Sequence, residues 1–215
     1  MQVAWAGSPA PARAVASGTH SMRRLIVGIT GASGVIYGIR TLQALRDLPD
    51  VETHLVLTPA AKRTLAEETD WQIAAVEALA DVVHPHGDIG AALASGSFVT
   101  DGMIVAPCSI KTLSEVAHSH SGNLLSRAAD VCLKEGRRVV LLVRETPLHA
   151  GHIDLMAQAA RCGAVILPPI PAFYSRPQTV ADIVDHSVGK ALDQFRIAHT
   201  LLQRWKDTPG PSARA

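Results

Sequence analysis

The sequence predicts a doubly wound α/β fold, flavodoxin-like or Rossmann-like, with a mostly parallel sheet and helices on both faces. Three observations lead there. Apolar runs alternate with helical patterns in the order βαβα. Several runs are continuously apolar, as in Val139-Val140-Leu141-Leu142-Val143, so both faces of those strands must be covered. The first run ends in a glycine turn, Val27-Gly28-Ile29-Thr30-Gly31-Ala32-Ser33-Gly34, and leads into an amphipathic stretch from Tyr37 to Leu45.

Taken in order, strands are expected near 24–29, 51–57, 102–106, 138–143 and 164–167. Helices are expected near 34–47, 59–68, 72–80, 110–118, 123–135, 149–162 and 179–204. The glycine turn joins the first strand to the first helix, and Ser109 is a suitable N-cap for the helix that follows Ala106-Pro107-Cys108. Thr146-Pro147 suits an ordinary helix start. In such sheets ligands sit beyond the carboxyl ends of the strands. Four strand ends should therefore meet: Thr30-Gly31-Ala32-Ser33, Thr58, Ser109-Ile110-Lys111-Thr112, and Arg144-Glu145. They offer hydroxyls, backbone N–H groups at helix starts, a planar cation and a carboxyl group.

A glycine turn at a helix N-terminus points N–H groups and the positive end of the helix dipole at one spot, which suits a phosphate. The spacing is G-x-x-G-x-x-G rather than the dinucleotide pattern, and no G-x-x-x-x-G-K-[ST] occurs. The second strand ends in Thr58-Pro59, where a NAD-binding chain usually carries an acid for the ribose. A mononucleotide such as FMN fits better. On a helical face, Arg127, Asp130 and Lys134 follow one another at i, i+3 and i+7. They form either a solvated charged face or an anion site at a subunit contact.

The 215 residues suffice for one sizeable core. Residues 1–21, rich in Ala, Pro, Gly and Ser, read as a disordered extension. Residues 22–206 read as one domain and 207–215 as a flexible tail. A net charge of +1 argues against nucleic acid or a membrane surface as partner. No apolar run approaches the length of a membrane span. A hydrophobic share of 47% against 18% charged suits an oligomer with buried contacts. Cys108, Cys132 and Cys162 are odd in number and lack C-x-x-C spacing, so they are expected to be buried reduced thiols of a cytoplasmic protein. His84-x-His86 and His118-x-His120 are the tightest histidine pairs among ten. Without a third ligand in pattern they are expected to be loop histidines, and no metal is expected.

Together these stretches resemble the UbiX-type flavin prenyltransferases. The resemblance runs from about Met22 to Trp205. Its stretches are Gly28 to Gly34 with Tyr37-Gly38, Glu68-Thr69-Asp70, Ser95-Gly96-Ser97, Ala106 to Leu113, Arg127 to Val131, Leu133-Lys134-Glu135, Arg144 to Leu148, Gly163 to Pro168, and Pro171 to Tyr174 with Arg176-Pro177-Gln178. It implies flavodoxin-like subunits assembled as dodecamers. These bind reduced FMN and dimethylallyl phosphate, transfer the dimethylallyl group to flavin N5 and C6, and supply prenylated FMN to UbiD-type decarboxylases without a metal. Older names call such proteins decarboxylases.

Carried over, Gly31, Ala32, Ser33, Thr58, Ser109, Ile110, Lys111, Thr112 and Arg144 hold FMN, with Ser33 close to N5. Glu68 is an acid/base group near the forming bonds. Arg127, Lys134, Tyr174 and Lys190 grip the prenyl phosphate beside Glu145, some of them from a neighbouring subunit. Ser33, Glu68, Lys134, Glu145 and Tyr174 form the catalytic set. Trp205 either covers the prenyl chain or is a helix-packing aromatic. The chain departs from the family in two places that touch ligands. Lys190 stands where Arg is common, and Thr58-Pro59 where Ser-Lys is common. Two other activities compete: a flavin-dependent cysteine decarboxylase, whose Asn-containing motif is not evident beside Pro107-Cys108-Ser109, and a non-catalytic carrier of prenylated FMN.

Overall fold

The computed structural model describes residues 22–202 and 204. The expectations for residues 1–21, Trp205 and 207–215 lie outside them. Six strands, β1 (Arg23–Ile29), β2 (Val51–Leu57), β3 (Val82–His84), β4 (Gly102–Cys108), β5 (Arg138–Val143) and β6 (Val165–Ile166), form one sheet in the order β3-β2-β1-β4-β5-β6. All neighbours are parallel. Seven helices connect them: α1 (Ile36–Arg46), α2 (Pro59–Glu68), α3 (Ile73–Glu77), α4 (Ile110–Ala117), α5 (Leu124–Lys134), α6 (Ala150–Arg161) and α7 (Val180–Asp193).

Alternation along the strands divides the core into two layers. Leu25, Val27, Ile29, Ile104, Ala106, Val140 and Leu142 face α1, α2, α3 and α7. Ile26, Val56, Met103, Val105, Val139 and Leu141 face α4, α5 and α6. Helices α5 and α7 therefore lie on opposite sides of the sheet. The order reverses at β1, whose neighbours are β2 on one side and β4 on the other, so the crevice falls at the carboxyl ends of β1 and β4. Without β3 the order is that of flavodoxin; with it, that of the dinucleotide-binding folds.

Several expectations are corrected. Strand β3 was not foreseen, because three residues on a sheet edge show no period; its His84 is a strand residue rather than a loop histidine. The run at 164–167 pairs only over Val165–Ile166. Strand β4 continues through Pro107 to Cys108, with a register shift between Val105 and Cys108 that accommodates a residue without an N–H. Helix α6 starts after His149, at the expected bound, with Thr146-Pro147 ahead of it, and the His149 ring accepts from the Gly151 N–H at 3.1 Å. The last helix stops at Asp193 rather than running to 204. At Arg196 the backbone turns left-handed, φ 54°, and the chain folds back so that His199 and Leu202 pack at Gly189. Cys108 and Cys132 are buried, but Cys162 is exposed at the end of α6.

Candidate active site

A cleft of about 300 Å³ opens at the switch point, within the range of about 300–1,000 Å³ usual for small-molecule sites. Its walls are two helix N-termini. Thr58 caps α2, its hydroxyl accepting from Ala61 N–H at 3.0 Å, and Ser109 caps α4, accepting from Thr112 N–H at 3.3 Å. Thr30 joins β1 to β4 behind them. Its hydroxyl donates to the Pro107 carbonyl at 2.7 Å and accepts from Ser109 N–H at 2.8 Å. Gly31 is needed here for space, because a Cβ would collide with the Ala60 methyl. Gly31, Thr58, Ser109, Lys111 and Thr112 all line this cleft. Ile110 lies between them, half-buried, packed against the α4–α5 layer of the core.

Pro59, His86, Glu115 and Asn123 also line the cleft and were missed. Glu115 accepts from Lys111 Nζ at 2.6 Å and from Asn123 Nδ2 at 3.0 Å, so the cation that the sequence offered is already paired. Asn123 caps α5, and the backbone carbonyl of His86 accepts from Leu124 N–H at 2.9 Å, which fixes the loop after β3. Burial pushes the His86 pKa below the ordinary range, helped by Lys111 and opposed by Glu115. Nothing in the spacing announces these residues, apart from the cap signal of Asn123 directly before the apolar α5.

The glycine turn behaves differently from the expectation. The N–H groups of Gly34 and Val35, at the start of α1, donate to Glu68 Oε2 at 2.7 and 3.3 Å. That helix start is filled by a carboxylate of the chain itself, which leaves the α2 and α4 starts as those open to an incoming phosphate. The same bonds bring Glu68 to the turn that carries Ala32 and Ser33. Arg144 continues β5 at the carboxyl edge and its N–H donates to Cys108 O at 3.0 Å. Burial raises the pKa of the Tyr37 phenol on α1, while the Arg144 charge and the Ser187 hydroxyl lower it. Glu145, exposed beside it, accepts from Thr146 N–H at 3.0 Å.

The residues expected to grip the prenyl phosphate do not converge on this cleft within one chain. Arg127 on α5 donates to Ala94 O at 3.2 Å and pairs with Asp130 at 2.9 Å. Lys134 ends the same helix, pairs with Glu135 and packs on Gly96 of the Ser95-Gly96-Ser97 stretch. Tyr174, in a short turn at Phe173–Ser175, and Lys190 on α7 lie on the other side of the sheet. Lys190 Nζ is 3.7 Å from Asp193, whose carboxylate also takes Arg204 at 2.8 Å and His199 at 3.2 Å. Among the described residues no group of three His, Cys, Asp or Glu is placed to hold a metal ion.

Residues 14–204 match the family model described as Flavoprotein. The flavin prenyltransferase UbiX of Escherichia coli K12 is 59% identical over 187 residues, covering 86% of this chain and 99% of that protein. A dodecameric FMN-dependent UbiX-like decarboxylase from Escherichia coli O157:H7 superposes with TM-score 0.84 and 50% identity over 85% of this chain and 99% of that one. AnUbiX (PadA1), solved with FMN and dimethylallyl pyrophosphate, gives TM-score 0.83 and 49% identity over 85% and 97%.

Proposed function

The chain belongs to the flavoprotein family and, within it, to the UbiX-type flavin prenyltransferases, and from that premise we propose how its residues divide the work. The protein transfers a dimethylallyl group from dimethylallyl phosphate to N5 and C6 of reduced FMN, making prenylated FMN for a UbiD-type decarboxylase. It works as a homo-oligomer, the dodecamer of its relative. Among the described residues no helix is long and apolar enough to cross a membrane. The cytoplasm is the proposed location, in keeping with three free cysteines. Residues 22–206 are proposed as the single flavoprotein domain.

One observation carries the assignment of the flavin: two capped helix starts and Gly31 enclose a cleft at the β1/β4 switch point, while the third helix start is closed by Glu68. The donors at α2 and α4, with Ser109 and Thr112, suit the flavin phosphate. Gly31, Ala32, Ser33, Thr58, Ile110, Lys111 and Arg144 hold the remainder. Reduced FMN, when bound, supplies the electron-rich N5 and C6 that receive the allyl group. Glu68, tied to the turn beside Ser33, takes the proton that leaves C6. Phosphate departure needs positive charge and a proton donor, which Lys134, Arg127, Lys190, Tyr174 and Glu145 offer. Arg127 and Lys134 sit on one face of the sheet, Tyr174 and Lys190 on the other, and Glu145 at its carboxyl edge, so the full site is assembled from more than one copy.

Anaerobic incubation with reduced FMN and dimethylallyl phosphate, followed by mass analysis of the flavin, tests this. A flavin heavier by one C5 unit, absent from Glu68→Gln and Ser33→Ala proteins, is the expected result. Flavin that binds and remains unmodified with both the phosphate and the pyrophosphate would make the protein a carrier.

A further inference from the structure

We propose that His186 is a positioning residue for the Tyr174 hydroxyl, and that its charge state sets how tightly the prenyl donor is held, a step that rests on Tyr174 and Lys190 being phosphate ligands. The Tyr174 hydroxyl lies 3.2 Å from His186 Nε2. The two rings meet edge to face, centroids 5.9 Å apart at 78°. On α7, His186, Lys190 and Asp193 follow at i, i+4 and i+7 and share one helical face. Tyr174, His186 and Lys190 thus form a row along the half-open side of the subunit.

The proton on His186 decides what Tyr174 can offer. A neutral ring protonated at Nδ1 accepts the phenolic O–H. The hydroxyl then presents lone pairs outward, which repel a phosphate oxygen. A ring protonated at Nε2 donates to the phenolic oxygen, so the phenol's own proton is not spent on His186 and can be donated to phosphate. The imidazolium can do only the latter, and it adds a positive charge beside the anion.

The groups around His186 set the balance. Lys190 disfavours its protonation and Asp193 favours it. Across a hollow of about 190 Å³ that His186 helps to line, Arg176 comes from the Tyr174 segment and Asp182 and Asp185 from α7. Asp185 is held by Arg40 of α1 at 2.5 Å. Burial first, then Lys190, pushes the His186 pKa below its ordinary range, against Asp193. Together these groups favour the neutral ring in the absence of ligand. A phosphate dianion arriving between Tyr174 and Lys190 favours the charged form, so donor binding and proton uptake are linked.

The test is the KM for dimethylallyl phosphate from roughly pH 5.5 to 8.5, with kcat and FMN affinity followed alongside, in the full chain and in His186→Gln. The donor's own phosphate ionisation affects both proteins alike and cancels in the ratio. The wild-type KM should rise about tenfold more across that range than the variant's, at unchanged kcat and FMN affinity, because Gln bonds Tyr174 without titrating. Parallel profiles would overturn the proposal. Tyr174→Phe and Lys190→Ala separate the two levels. If both raise KM and the His186→Gln profile still parallels wild type, only the role of His186 falls. If neither raises KM, the assignment of the donor site falls and the role of His186 with it.

Discussion

The cleft between β1 and β4 and the outer face of α7 are built on opposite plans. The cleft is made from backbone and short side chains: capped helix starts, Thr30 bridging two strands, and a glycine where no Cβ fits. Its shape is fixed by the sheet. The α7 face presents long polar side chains, Tyr174, His186 and Lys190, on half-exposed backbone, and its neighbours across the sheet are on the wrong side to complete it. A rigid, nearly finished half suits a large planar ligand held before chemistry begins. An open half of movable groups suits a small anion that must enter, lose its prenyl group and leave.

Four substitutions sharpen or break that contrast. Gly31→Val should have the largest effect. The side chain meets Ala60 and enters the cleft, so FMN affinity should fall more than about a hundredfold, with a stability loss of about 1–3 kcal/mol; flavin titration and thermal melting read both. Retained flavin binding would show that the cleft is not the flavin site. Next, Glu68→Gln keeps an acceptor for Gly34 N–H but removes the proposed base, so turnover should fall about a hundredfold while FMN affinity stays within about threefold. Equal losses in both would make Glu68 a structural cap alone.

Smaller effects belong to the α7 face. Lys190→Arg supplies a forked donor, so the KM for the donor should fall about threefold with FMN binding untouched. The smallest concerns stability. Arg204 bonding holds the Asp193 carboxyl below the usual carboxylate range, with His199 helping and burial opposing. With the folded pKa depressed, this stabilisation is present above the unfolded pKa, near 3.8, and lost as pH falls through the folded one. Asp193→Asn should therefore cost about 1 kcal/mol at pH 7 and almost nothing near pH 2, by denaturant titration at the two pH values.

Much of the rigid half was legible in the sequence, and less of the other. Gly31, Thr58, Ser109 and Thr112 stand at strand ends, where period and punctuation meet, and the sheet rule says such ends converge. His86 and Glu115 have no such marker: one follows a three-residue edge strand, and the other is recognisable only through its bonds to Lys111 and Asn123. The glycine turn misled because sequence shows a vacant helix start but not the carboxylate, 34 residues later, that fills it. The reversal at Arg196 was hidden because Ile197, Leu201 and Leu202 continue an apolar pattern that fits a longer helix; they fold back toward α7 instead.

The placement of Lys134 and Lys190 on opposite sides of one sheet has a kinetic consequence. On the proposed division of the site, the flavin cleft belongs to one chain, while output depends on that chain meeting copies of itself. The total rate should then drop on dilution more steeply than first order in protein, so that specific activity falls, while flavin occupancy per subunit stays level. For a cell, halving the amount of such a protein removes more than half of its work once the concentration nears the dissociation point of the assembly.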